Sequence, residues 1–241
     1  MKVLEKASSI NRSYFLSERK QKERDDLEGG MKENIKASSA KEYYITVLRL
    51  GHRLVRDERM STHLGLVARA FGADELILTG KEDDIAHSIN KVVERWGGHF
   101  KVSFSQSWKK AIEQWKSSHN GLVIHLTMYG EELDNALALI NEHFEKCSGS
   151  NRSLLVIVGA EKVPPEVYVI SDFNVSVGHQ PHSEIAALAV FLDRLYRGKE
   201  LYSTFDEAKI RILPMTRKDF GGKNLRIKKR VEVVVSDESG I

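Results

Sequence analysis

The sequence predicts an α/β fold with a mostly parallel sheet covered by helices on both faces. Short apolar runs alternate with stretches of helical period along most of the chain. The runs are near-continuous in Val, Ile and Leu, as strands buried on both faces are, and most give way to a Gly or polar loop before the next helix. Strands and helices of these lengths in alternation give a parallel sheet.

Taken in order, residues 1–42 alternate Lys and Arg with Asp and Glu, hold Gly29-Gly30, and have few large apolar side chains after Leu27. They form a charged extension. Three readings stay open for it: a solvated frayed helix, an over-extended start with Met31 closer to the true one, and an arm that contacts RNA. YYITVLRLG (43–51) is β-branched and aromatic and opens the ordered domain as its first strand. A loop follows, then a helix with Thr62 as its expected cap and Leu64, Leu66, Val67, Ala70 and Phe71 on its apolar face. Gly72 ends that helix and ELILT is the second strand. DDIAHSINKVVERWGG then reads as helix, HFKVSFSQ as strand, SWKKAIEQWKSSHNG as helix, LVIHLTM as strand and EELDNALALINEHFEK as helix. LLVIVG and FNVSVG are two further strands, and IAALAVFLDRLYRG is the last helix of a domain expected over 43–203. Beyond it, KIRILPM and RIKKRVEVVV flank DFGGKN, a pattern for a β-hairpin turning at Gly221 and Gly222 in a basic extension over 204–241. From Lys209 to Arg230 there are nine basic residues against one acid, Asp219, so an anionic partner would first be felt there. The same pattern also suits a solvated edge protected by lysines.

Composition narrows the function classes. The chain has 241 residues, formal net charge +3 and one cysteine, Cys147. One cysteine excludes an internal disulfide framework and a multi-cysteine metal centre, and suits a reducing cytoplasm. No apolar run is long enough to span a bilayer and the first residues lack the apolar centre of a secretory signal, so no membrane association and a cytoplasmic location are expected. No Walker A, GxGxxG or GxSxG sequence occurs, which removes the central evidence for nucleotide-binding and serine-hydrolase readings. The histidines lack zinc-ligand spacing, and no metal is expected.

Three segments carry the chemistry. LLVIVGAEKVPPEV ends an apolar strand at Gly159, where the backbone can approach a ligand, and VSVGHQPHSE places Gly178 and Pro181 in a loop that Ser183-Glu184 turns into a helix. Strand ends followed by helix starts are where open α/β sheets bind small molecules. LRLGHRLVRDERMSTH gathers Arg49, His52, Arg53, Arg56 and Arg59 at the exit of the first strand, a pattern suited to bidentate phosphate recognition. Arg69 lies among apolar residues of the following helix.

Together, RLGHRLVRDERMSTH, VGAEKVPPEVY and VGHQPHSEIAALAVFLDRL resemble the archaeal tRNA (cytidine(56)-2′-O)-methyltransferases, a branch of the SPOUT methyltransferases, over about Tyr44 to Tyr196. The resemblance implies a SPOUT fold with a C-terminal deep trefoil knot, a homodimer, and tRNA as substrate with S-adenosylmethionine as cofactor. It implies that Leu126, Gly159, Ala160, Glu161, Lys162, Val163, Val177, Gly178, His179, Gln180, Pro181, His182, Ser183 and Glu184 hold the cofactor. Arg53, Arg56, Asp57 and Arg59 would position the RNA, while Arg69 and His63 match catalytic positions of TrmH-type relatives.

Overall fold

In the computed structural model of the chain, the described residues are 42–51, 58–80, 84–147, 152–159, 162–212 and 231–233. The chain divides into two compact units, Met1–Lys41 and Glu42–Ile241. The charged extension lies outside the described residues.

The strands are β1 (Tyr44–Leu50), β2 (Glu75–Thr79), β3 (Lys101–Ser105), β4 (Leu122–Glu132), β5 (Ser153–Gly159) and β6 (Phe173–Ser176). Between them lie α1 (Glu58–Ala70), α2 (Ile85–Trp96), α3 (Trp108–Ser118), α4 (Leu133–Lys146) and α5 (Pro165–Ile170), and α6 (Glu184–Tyr196) follows β6. The six strands form one sheet in the order β3-β2-β1-β5-β4-β6, every pairing parallel. The chain lays down β1, β2 and β3 outward in one direction, then returns to place β4, β5 and β6 on the other side of β1. Alternating apolar runs and helices therefore produce the expected parallel α/β sheet.

The two sheet faces have separate cores. On one face Tyr43, Ile45, Val47, Leu76, Leu78 and Val156 meet α1, α2, α4 and α6 through Leu64, Ala68, Ile85, Ile89, Ile140, Leu188 and Phe191. On the other, Leu48, Leu50, Leu155 and Ile157 meet α3 and α5 through Ala111, Ile112, Trp115 and Val167. Each such aliphatic side chain contributes about 1.5–3 kcal/mol on full burial, and β5 is buried from Ser153 to Val158, which makes it the centre of the fold. Ser61, Leu64, Gly65 and Ala68 share the inward stripe of α1, and any side chain at Gly65 would run into Ile89 of α2. Two aspartates tie strand starts together: Asp74 accepts from Ile45 N–H at 2.7 Å and Asp172 from Val123 N–H at 2.7 Å.

Some expectations are corrected. Thr62 is not a cap, because α1 begins at Glu58 and leaves Thr62 in its second turn. The short helix α5 was not expected; Pro165 at its first position supplies a φ already suited to a helix. β4 continues past Met128, where the expected strand ended, to Glu132, and Val175 of β6 is paired with both Leu126 and Glu131. Beyond a 3₁₀ turn at Lys199–Tyr202, the chain stays attached to the end of α2: Gly98 N–H donates to Asp206 O at 2.8 Å and Lys209 N–H to Arg95 O at 3.1 Å. Strands β7 (Ile210–Ile212) and β8 (Val231–Val233) pair antiparallel, while Gly221 and Gly222 lie outside the described residues.

Candidate functional site

The parallel sheet aligns the C-terminal ends of its central strands along one edge. β1 and β5 stay in register to their last residues, Leu50 opposite Gly159, and β4 and β6 flank them with Leu126 opposite Val175. The last residues of β1 and β5 and the irregular part of β4 with β6 therefore lie along this edge, where strand order reverses about β1. Ligands bind at such reversals in open α/β sheets because the neighbouring loops diverge and leave a crevice.

The described residues among the expected contacts are placed as follows. Leu126 is buried, with its neighbour across the sheet, Val175, fully so. Gly159 ends β5 half-buried, and beyond it Lys162 is exposed and Val163 packs against the face that carries Leu48. Ala160 and Glu161 lie outside the described residues. After β6, Val177 packs on the opposite core, and Gly178 has φ +75°, which a side chain at that position would strain, with open space beyond it. His179, Gln180, Pro181, His182 and Ser183 are exposed. His179 Nδ1–H donates to Met128 O at 2.9 Å and His182 Nε2–H to Val177 O at 2.6 Å, so both imidazoles hold loop carbonyls. Ser183 is the helix cap expected of it: its hydroxyl accepts from Ala186 N–H at 3.2 Å.

Glu184, the first residue of α6, has its carboxylate committed within the protein. Its Oε1 lies 3.1 Å from Nη2 of Arg49, which is 1% exposed at the end of β1, and the other arm of that guanidinium donates to Ser61 Oγ in α1. Arg49 stood in the arginine cluster of the sequence but not among its candidate contacts. Its place inward was legible only in the period of β1, where it shares a face with Ile45 and Val47.

Arg69 requires a correction. It lies in the last turn of α1, some 16 Å along the helix from its start, so it sits at the N-terminal ends of the strands, opposite the loops. It is 6% exposed, its Nη2–H donates to Gly97 O at 2.5 Å, and its guanidinium stacks 4.3 Å from the Phe205 ring centre. Burial lowers its pKa from the ordinary arginine value. These contacts pack the cation at the strand starts. His63 and Arg59 are exposed on α1, and the structure does not bring His63 together with Arg69. Arg53, Arg56 and Asp57 lie outside the described residues.

Next to Leu126 on β4 sits a buried polar group that sequence reasoning passed over. His125 of β4 is fully buried, donates from Nδ1 to Asn174 Oδ1 of β6 at 2.9 Å, and meets the Tyr168 ring of α5 edge-on at 4.6 Å. Asn174 in turn donates to Tyr168 O at 2.9 Å, and burial lowers the His125 pKa. Its place in an apolar run was the available signal. Among the described residues no three His, Cys, Asp or Glu side chains gather as a metal site, and no helix is long and apolar enough to cross a membrane.

A protein-family model for "tRNA ribose 2′-O-methyltransferase, aTrm56" matches residues 96–221. A Thermococcus kodakarensis protein named tRNA (cytidine(56)-2′-O)-methyltransferase is 52% identical over 174 residues, covering 72% of this chain and 93% of its own length. One of the same name from Methanopyrus kandleri is 53% identical over 169 residues, 70% of this chain and 90% of its own. Among solved structures, the SpoU methyltransferase AviRb from Streptomyces viridochromogenes, in complex with AdoMet, has 12% identity and a TM-score of 0.46 over 66% of this chain and 59% of that one.

Proposed function

The chain belongs to the tRNA ribose 2′-O-methyltransferase family aTrm56, and on that premise we propose that it methylates the ribose 2′-OH of cytidine 56 in tRNA, using S-adenosylmethionine. The observation that carries the reading is the register of β1 against β5. Leu50 opposite Gly159 places the strand end that leads into the arginine-rich segment, an RNA-binding element by composition, beside the strand end that leads into the segment suited to the methyl donor.

The crevice fits that donor. Leu126, Val163 and Val177 give apolar walls, Gly178 leaves open space beside its backbone, and the loops offer main-chain carbonyls at Met128 and Val177 for a polar heterocycle. In this reading Gly159 to Val163 and Val177 to Ser183 hold it. His179 and His182 move off those carbonyls as it enters. Glu184 acts through Arg49 instead of on the ligand.

S-adenosylmethionine supplies a methyl group on a positively charged sulfur, an electrophile that needs no further activation. The chain's part is alignment and proton removal. The 2′-OH is a weak acid, so its oxygen must be held in line with the methyl carbon–sulfur bond that breaks, and its proton taken up, as the carbon–oxygen bond forms. Arg53, Arg56 and Arg59 clamp the RNA backbone and Asp57 orients the clamp; His63, exposed in the second turn of α1, accepts the proton.

A trefoil knot belongs to the same reading. Its support is the double pairing of Val175 with Leu126 and Glu131, together with Gly130, where a Cβ would lie 2.5 Å from Asn174 backbone atoms. Residues 127–130 thus pass tightly by β6, as a loop must if β6 and α6 are threaded through it. A homodimer is supported by Tyr129 and Val169, 78% and 83% exposed beside the Thr127–Tyr168 contact near the crevice. The residues that form the catalytic domain are 43–203.

The test is incubation of the full chain with an unmodified tRNA transcript and labelled S-adenosylmethionine, followed by mass-spectrometric mapping. Label on the ribose of cytidine 56 is expected. Label on another nucleotide, or binding of the donor without transfer to any tRNA, would sink the reading.

A further inference from the structure

We propose that Arg49 is a positioning residue that braces the RNA-side elements against the donor-side loop, a role that rests on the function proposed above. Its guanidinium sits where three segments meet: the end of β1, the first turns of α1 through Ser61, and the first residue of α6 through Glu184. The first carries the arginine-rich loop, the second Arg59 and His63, and the third the 177–184 loop. The backbone on either side is fastened as well, since Thr79 Oγ1 donates to Arg49 O at 3.1 Å and accepts from Gly51 N–H at 2.9 Å.

Burial argues against two simpler roles. At 1% exposure the side chain does not reach solvent, so it is not a phosphate clamp like its neighbours. Nor is stability a sufficient reason to keep it, because a buried ion pair is often no better for folding than apolar residues of the same volume. What the forked group supplies is geometry. Its two arms engage a hydroxyl and a carboxylate on elements far apart in sequence and hold them at one separation, which a lysine with a single charge point does not do. Methyl transfer depends on that separation, because donor and acceptor are held from opposite sides of the brace. A misplacement near 1 Å costs about 100-fold in rate.

The experiment uses the full chain and its tRNA transcript, with Ser61→Ala, Glu184→Gln and Arg49→Lys. Three quantities are measured for each: kcat and KM on tRNA, the Kd for S-adenosylmethionine, and Tm. Ser61→Ala removes one arm's partner at low risk to folding, so it keeps the proposal testable if Arg49→Lys does not fold. The expected result is a kcat loss of about 10- to 100-fold in Ser61→Ala and Glu184→Gln. The donor Kd stays within about threefold of wild type. Arg49→Lys, when folded, retains part of the activity. Wild-type kcat in both Ser61→Ala and Glu184→Gln would overturn the proposal. So would a donor Kd that rises in step with lost activity in Glu184→Gln while Ser61→Ala stays normal, which would make Glu184 a direct ligand. Failure of the wild-type chain to methylate cytidine 56 is a separate outcome: it refutes the function and is read before any variant.

Discussion

Replacing Arg69 by methionine separates a packing cation from a catalytic one. The substitution keeps the aliphatic stem and removes the guanidinium that donates to Gly97 O at 2.5 Å and stacks on Phe205 at 4.3 Å. A hydrogen bond from a charged group contributes about 1.5–3 kcal/mol, and a desolvated cation–π contact up to about 2. Methionine recovers some dispersion contact with the Phe205 ring, so a net loss of about 3 kcal/mol is expected. At about 2–4 °C per kcal/mol for a domain of this size, Tm falls by about 6–12 °C. Thermal unfolding by circular dichroism measures this, and kcat per folded molecule, taken well below the new Tm, should stay within about twofold of wild type. The reasoning fails if the variant melts like wild type yet no longer methylates tRNA, because Arg69 would then act in the reaction from a place the fold gives it no path to.

Two more predictions follow from the elements around β6. Gly130→Ala forces a methyl group to within 2.5 Å of Asn174 backbone atoms, which do not rotate away, and should cost about 1–3 kcal/mol; an unchanged Tm would show that residues 127–130 do not press on β6. His125 is held neutral by burial, with its folded pKa below the unfolded value near 6.5. The unfolded chain then binds more protons in the window below about 6.5, so stability falls as pH drops through it, by at most about 1.4 kcal/mol per pH unit. Urea unfolding of wild type and His125→Phe at pH 7.5 and 5 should show a smaller pH dependence in the variant, and parallel losses in both proteins would place the titrating group elsewhere.

Most of the elements were legible in the residue pattern because burial writes itself into local period. LLVIVG, ELILT and the helix IAALAVFLDRL are strand or helix by spacing alone, and the glycines that end the strands before the 159–163 and 177–184 loops stand out in the sequence. The family resemblance was readable from three contiguous segments for the same reason. The short helix α5 escaped, since six residues are too few to show a helical period. So did the continuation of β4 past Met128, because YGEE has no strand pattern of its own and is held in place by β6.

Which end of the sheet a side chain serves was decided only by tertiary structure. Arg69 reads as a cation among apolar neighbours and Arg49 as one of an arginine cluster, yet both are buried: one lies under Phe205 at the strand starts and the other joins Glu184, 135 positions away, at the strand ends. Local period says that a residue faces inward. It carries no record of what it meets there, because the partner is set by the order in which distant strands join the sheet, and that order is a property of the whole chain's packing.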